Sequence, residues 1–509
     1  MADYQVAHIK DFSPGEMKQV QAGRTAILLV RLEDGFHALG ALCSHYEAPL
    51  AAGALCDDRV ICPWHHACFS IRTGKLLEPP GLDGIPVYPV RVENDEIWVT
   101  IPEEQSVASP PRRQPGDDRV CVVAGGGCAG AYAVESLRDQ GFGGRIVWAA
   151  GTQEFPPIDR PLLSKGYLSG EASEAWLPLR TEDFYLEREI EVIREQVNQL
   201  DANHKTVTLD GGEVIQYDSA ILATGAVARH LPIPGIELAG IFSLHTLPEA
   251  QKLSEAAQSA KQAVIIGAGF IGMEVTQSLL KQGLKVTVIA PETIPFERIL
   301  GTEIGAMLCQ LHQEHGVDFR LGRTVQAFTG QDHVQKVVLD DGSQINVDLV
   351  VIGVGVQPAT DFVSGVNKAK DGSIIVDDSL KAADNLYAAG DLARFPDWRT
   401  GDTIRIEHWR VAAQHGRIAG SNAAGSNQSY RGVPYFWTRQ YGITLHYLGH
   451  AQQWDEIQTN GNVNEHDFIA YFLKGGKVHA VAGMEREKEL ALLEEKMRRE
   501  GLLSLEKLA

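Results

Sequence analysis

Twice in this chain a short apolar strand runs directly into a Gly-x-Gly-x-x-Gly turn that opens a helix. Residues 119–124 lead into Gly125, Gly127 and Gly130, and residues 262–266 lead into Gly267, Gly269 and Gly272. Each glycine in such a turn has its own task. The first makes the tight bend, the second lets a pyrophosphate approach the backbone, and the third lets helix and strand pack closely. The helix N-terminus then faces the phosphates. One such run is weak evidence; two, each set between a strand and a helix, call for two doubly wound α/β units that bind dinucleotides. Helices are expected over 131–140 and 273–282.

The acid that usually follows the second strand of such a unit and holds the ribose is absent from both. The first unit offers Thr152 or Gln153, with Glu154 beyond; the second offers Ala290, with Glu292 two residues later. No arginine lies between Ala290 and Pro295 to hold a 2′-phosphate, and Glu292 repels one. The second unit is therefore expected to take NADH in preference to NADPH.

A different chemistry occupies the N-terminal part. Cys43-Ser44-His45 and Cys62-Pro63-Trp64-His65 each supply one thiol and one imidazole, with sixteen residues between His45 and Cys62. That is the ligand pattern of a Rieske [2Fe–2S] cluster, with Cys43 and Cys62 on one iron and His45 and His65 on the other. A zinc site is the rival, but zinc fingers pair Cys with Cys and His with His along the chain. High-potential Rieske proteins carry a further, disulfide-forming cysteine in each loop, where this chain has Ala48 and Trp64. The segment resembles soluble Rieske ferredoxins instead, which implies a potential near the low end of the range, about −150 mV. His66 stands where those proteins usually have glycine, and it is a competing imidazole beside His65.

The remaining numbers exclude more than they identify. A chain of 509 residues, 44% hydrophobic and 22% charged, suits a soluble globular protein of three or four domains. A net charge of −20 opposes binding to nucleic acid or anionic membranes. No stretch approaches the ~20 apolar residues of a membrane span, and the first residues lack a signal or transit pattern. Five of the seven cysteines fall outside the cluster loops without framework spacing, as in a reducing compartment; the expected location is cytoplasmic. Cys68 is expected to be a packed thiol. A charged helix over 485–499 reads as a packing element.

Further segments carry a family resemblance. Asp159-Arg160-Pro161-Leu162-Leu163-Ser164-Lys165 resembles the flavin-contacting segment of the apoptosis-inducing-factor and oxygenase-coupled ferredoxin reductase flavoproteins. Ala223-Thr224-Gly225 is similar to their second FAD contact, residues 353–358 with Gly355 to the exit from the NAD domain, and Ala388-Ala389-Gly390-Asp391 to the third FAD contact. Ile406-Glu407-His408-Trp409 and residues 433–438 with Trp437 resemble apoptosis-inducing-factor-like proteins that carry a fused Rieske module. Departures are the missing ribose acids, Ile158 where a tyrosine is usual, and His66.

The resemblance implies a multidomain chain. An all-β Rieske domain (1–101) and a proline-rich linker (102–118) precede a FAD domain in two parts (119–245 and 366–432). An NAD domain (246–365) is inserted between those parts, and a small α+β domain (433–509) follows. Arg160 and Lys165 are expected near the pyrophosphate and isoalloxazine, and Asp391 near the ribityl chain or a phosphate-binding turn. Glu407, His408 and Trp409 open a helix over 411–424 whose positive end faces the flavin. Trp409 and Trp437 are candidates to cover the ring, with core packing as the alternative. Glu274 is expected at the nicotinamide ribose or carboxamide. The activity implied is electron transfer from NADH through FAD to the [2Fe–2S] cluster and on to an external acceptor, a protein or small molecule. Two alternatives stay open: an NADH-sensing interaction protein, with redox-linked homodimerisation, and an NADH oxidase using oxygen or a quinone.

Overall fold

The computed structural model describes residues 1–103, 109–152 and 155–507. Gln153 and Glu154, two of the ribose-site candidates, lie outside the described residues. The first part is all-β. One sheet orders Ala2–His8, Glu96–Ile101 and Val90–Glu93; a second orders Glu16–Ala22, Thr25–Leu32, Gly35–Gly40 and Val87–Tyr88. A third, smaller sheet of Ala54–Cys56, Arg59–Ile61, Cys68–Ser70 and Leu76–Glu78 carries the second Cys-His loop between its middle strands.

The first glycine turn sits in a six-stranded sheet ordered Ile190–Ile193, Arg145–Ala149, Val120–Ala124, Ser219–Leu222, Leu386–Ala388 and Lys381–Ala383. All its pairings are parallel except the last. Its central strand is buried on both faces, which is why Val120–Ala124 reads as an unbroken apolar run. The second turn sits in an all-parallel sheet ordered Ile241–Phe242, Leu349–Ile352, Gln262–Ile266, Lys285–Ala290 and Asp318–Leu321. This sheet is inserted between Ser219–Leu222 and Leu386–Ala388 of the first. The outgoing and returning chains pair with each other as Ala226–Ala228 and Val356–Pro358.

Two details differ from expectation. Ile241–Phe242 lies before the anticipated 246 boundary yet belongs to the second sheet, and Val363–Ser364 already pairs with Val197–Asp201 on the first side. Two-residue strands leave no periodic trace in a sequence. The helices after the glycines also begin earlier than expected: α1 is Cys128–Asp139 and α2 is Phe270–Lys281. Helix α3, Trp409–Ala423, starts at Trp409 itself.

Helix α3 crosses α1 at close range. A Cβ on Gly416 would stand 2.3 Å from the Ala129 carbonyl oxygen, and one on Gly420 2.4 Å from that of Ala133. That contact brings the start of α3 beside the first glycine turn. The C-terminal part is a five-stranded antiparallel sheet, Tyr435–Gln440, Ile443–Gly449, Lys477–Met484, Asp467–Lys474 and Glu456–Asn462, covered by α4, Glu487–Glu500. No helix among the described residues is long and apolar enough to cross a membrane.

Candidate active site

The two glycine turns are built alike. Gly125 (φ +120°) and Gly267 (φ +104°) adopt backbone that side chains avoid, and Cβ atoms there would fall 2.2 Å from Ala223 O and 2.3 Å from Gly353 O. Gly130 and Gly272 press equally hard on the turns beneath them, at 2.0 Å from Gly125 O and 2.3 Å from Gly267 O. The middle glycines differ. A Cβ on Gly127 meets nothing closer than an Arg160 nitrogen at 4.0 Å, and one on Gly269 meets nothing within 4 Å. Only the outer two are demanded by the protein; the middle one keeps space open for a ligand.

That space at the first turn is a cavity of about 530 Å³. Most of the expected flavin residues line it: Gly125, Gly127, Arg160, Lys165, Ala223, Gly225 and Asp391, together with Glu407, His408, Trp409 and Trp437. His408 precedes α3 and its ring lies against Phe436, 4.7 Å between centroids. Its Nδ1 is buried with no partner among the described residues, and burial and His450 hold the imidazole down at about 3. Burial and Glu407 push Asp391 up to about 6, against the pull of Arg160 and Arg405. An open middle glycine, a helix start and an orphaned buried nitrogen on one cavity fit a bound FAD.

Glu274 of α2 also lines the cavity, but its carboxylate is already engaged. Oε2 accepts from Lys165 Nζ at 2.8 Å and Ser164 Oγ at 2.5 Å, and Oε1 accepts from Thr438 Oγ1 at 2.7 Å. A charge buried this deeply needs such partners. They point it at Lys165 rather than at open space. Glu407 is likewise paired, with Arg405 at 2.6 Å. Gly130, Gly267, Gly269, Gly272, Glu292 and Gly355 are not part of this wall. Beside Glu292 the fold supplies a cation that the linear motif does not contain. Arg323 donates its backbone N–H to Ala290 O at 3.1 Å, and its guanidinium pairs with Asp341 at 3.1 Å.

The two Cys-His loops share one geometry. Cys43 N–H donates to Ala48 O at 2.9 Å and Cys62 N–H to Ala67 O at 2.8 Å, while Glu47 and His66 both take φ +57°. The loops place their ligands in like pairs: the two thiols contact each other, and His45 Nδ1 lies 3.1 Å from His65 Nδ1. Two thiols beside two imidazoles fit a cluster with one iron for each pair. Burial and His45 hold His65 well below the usual imidazole range, so it is neutral, the form that binds metal.

His66 is turned elsewhere. Its positive φ is backbone in which glycine rests more easily, and its ring is fully buried. Nδ1 meets Glu494 Oε2 at 2.5 Å, and the ring stacks on Tyr435 with centroids 4.4 Å apart. Glu494 comes from α4, which therefore does more than pack. Burial opposes its charge, yet Arg410 and His66 hold it down at about 2. Cys68 is a buried thiol, pushed up to about 12 by burial.

The cluster loops face the cavity. His65 lies 4.3 Å from Trp437, ring to ring, and His45 Nε2 lies 3.6 Å from Asp159, which also accepts from Tyr46 OH. The neighbouring 76–83 segment is clasped by the dinucleotide-binding part of the chain. Tyr132 OH donates to Pro80 O (3.2 Å), Arg410 Nε to Pro79 O (2.8 Å), Arg417 Nη1 to Leu77 O (3.0 Å), and Arg180 Nη1 pairs with Asp83 (2.6 Å). Asp159, Tyr132, Arg180, Arg410 and Glu494 carry no motif signal for this task, although Asp159 lies in the flavin-contacting segment and Tyr132 in the helix that follows the first glycine turn.

Known proteins agree with this architecture. A family model of pyridine nucleotide-disulphide oxidoreductases matches residues 119–416, a Rieske [2Fe-2S] domain model residues 2–89, and a reductase C-terminal model residues 435–509. Apoptosis-inducing factor 3 of Homo sapiens is 34% identical over 496 residues, covering 94% of this chain and 81% of that protein. Putidaredoxin reductase CamA of Pseudomonas putida is 32% identical over 376 residues, covering 72% of this chain and 89% of its own length. The crystal structure of the covalent putidaredoxin reductase–putidaredoxin complex holds a chain with a TM-score of 0.71 and 30% identity, matching 75% of this chain and 93% of that one. The chain belongs to the pyridine nucleotide-disulphide oxidoreductase family, as an NADH-dependent FAD protein fused to a Rieske [2Fe–2S] domain.

Proposed function

We propose that this chain moves electrons within itself, from NADH through a flavin in the 530 Å³ cavity to its own cluster, and then to an external acceptor. The contact of His65 with Trp437 carries the reading: a cluster-ligand ring rests 4.3 Å from an indole of the flavin wall. Bound FAD supplies the conversion of an electron pair into single electrons, which a nicotinamide donor and a one-electron cluster together require.

The side chains do the rest. Gly127 leaves room for the pyrophosphate in the turn that Gly125 and Gly130 shape, with Arg160 as its cation and Ala223, Gly225 and Asp391 along the flavin's length. Helix α3 directs its positive end toward the ring, where negative charge collects on reduction. Lys165, steadied by Glu274, adds a cation at the same wall. Trp409 and Trp437 cover the ring and exclude water. Gly267, Gly269, Gly272, Glu292 and Gly355 serve the NAD side, and Cys43, His45, Cys62 and His65 hold the cluster.

For the acceptor we favour a small redox protein, since a relative crystallises covalently joined to putidaredoxin. A net charge of −20 suits a partner with a basic surface. All seven cysteines are unbridged, which suits the cytoplasm. The test is anaerobic mixing of the holoprotein with one equivalent of NADH. Cluster reduction should follow flavin reduction at a rate independent of protein concentration. A rate proportional to concentration refutes transfer within the chain. A reduced flavin that never passes electrons to the cluster favours the sensing protein instead.

A further inference from the structure

One carboxylate joins three separate parts of the molecule. Glu494 of α4, on the C-terminal sheet, is 6% exposed. It meets His66 Nδ1 of the second ligand loop at 2.5 Å through Oε2, and accepts from Arg410 of α3 through Oε1. Arg410 closes the triangle by donating to the His66 carbonyl at 3.1 Å. The loop is held on its far side as well: Tyr435 stacks on the His66 ring at 4.4 Å and donates its hydroxyl to Trp64 O at 3.3 Å. The residue between these two anchored positions is His65, whose ring lies against Trp437.

We propose that Glu494 is a positioning residue for electron transfer into the cluster: through His66 and Arg410 it holds the Cys62–Ala67 loop so that the His65 ring rests on Trp437. The proposal builds on the intrachain transfer described above. His66 is the means of attachment. Glycine at this φ would relieve the backbone but leave Glu494 nothing on the loop to grip except through Arg410. The chain keeps an imidazole in a glycine conformation, fully buried, and that imidazole joins the ligand loop to α4. The electron balance is unchanged: one NADH supplies two electrons, of which the cluster takes one while the flavin keeps the other, and the external acceptor draws both off one at a time through the cluster. Glu494 alters how closely His65 meets its neighbour, not what is exchanged.

The test compares wild type with Glu494→Gln, which keeps the shape and loses the charge, and with His66→Gly, whose backbone suits the observed φ. Hydrogen exchange over the Cys62–Ala67 amides should be faster in both variants, a readout independent of turnover. In single-turnover mixing the flavin-reduction phase should match wild type, and the cluster-reduction phase should slow by about tenfold to a hundredfold. Iron content and the reduced-cluster electron paramagnetic resonance spectrum should remain those of a Cys₂His₂ cluster. The double variant should be no slower than the slower single one, because both remove a single linkage. Unchanged exchange and unchanged cluster reduction in His66→Gly overturn the proposal. So does loss of iron from both variants, which would make Glu494 a folding requirement of the ligand loop. If wild type itself shows concentration-dependent cluster reduction, the intrachain reading falls; if wild type is concentration-independent and both variants match it, the positioning role alone falls.

Discussion

The imidazole of His65 and the indole of Trp437 face each other at 4.3 Å between centroids, tilted by 41°. One belongs to a ligand loop near the N-terminus and the other to a strand of the C-terminal sheet. Under the proposed function, their meeting is the link between the two cofactor sites. The thiols of Cys43 and Cys62 are buried in the core of the Rieske part.

Truncating that contact should separate cluster loading from cluster reduction. Trp437→Ala is expected to retain iron and flavin and to slow flavin-to-cluster transfer by about tenfold to a hundredfold in stopped-flow absorbance. An unchanged rate would mean that electrons take another route across the wall.

Cys43→Ser or His65→Ala should reduce electron delivery to a one-electron protein acceptor to background, while NADH still reduces the flavin at the wild-type rate. The modules have separate cores, so loss of one need not disturb the other. Equal loss of both activities would show that they are not separable.

NADH should exceed NADPH in kcat/KM. Glu292→Arg supplies a cation for a 2′-phosphate, and Asp341→Asn frees the one Arg323 already has, since that guanidinium is now paired at 3.1 Å. Each change is expected to move the NADPH-to-NADH ratio upward by about tenfold, the equivalent of 1.4 kcal/mol. A wild-type preference for NADPH would refute the electrostatic argument.

Asp391 gives the FAD-free protein a pH dependence of defined sign. Its folded-state value is raised, from 3.8 to about 6, by burial and by Glu407. The folded state therefore binds this proton more tightly than the unfolded chain. The resulting stability is complete below about pH 4 and is lost as pH rises through about 6. Asp391→Asn should flatten that decline in Tm measured on FAD-free protein. Identical slopes for the two proteins would remove Asp391 as the cause.

What the sequence determined by itself was local chemistry. Glycine spacing after an apolar run sets a turn, because Gly125 and Gly267 take positive φ and a Cβ on Gly130 or Gly272 would strike the carbonyl of Gly125 or Gly267, a demand contained within six residues. The Cys-His loops are equally self-contained, since each closes its own hydrogen bonds from Cys43 to Ala48 and from Cys62 to Ala67. Tertiary structure decided everything that depends on two distant segments meeting. His66 and Glu494 are 428 residues apart, and neither has a spacing or periodicity that names the other. His66 could be read only as an oddity in a glycine position; the fold made it an anchor by burying it against Tyr435 and a carboxylate. Arg323 likewise reaches Ala290 only because parallel strand pairing brings Asp318–Leu321 beside Lys285–Ala290. Backbone conformation is a property of a few neighbouring residues, whereas a buried ion pair exists only where packing removes water from both partners at once.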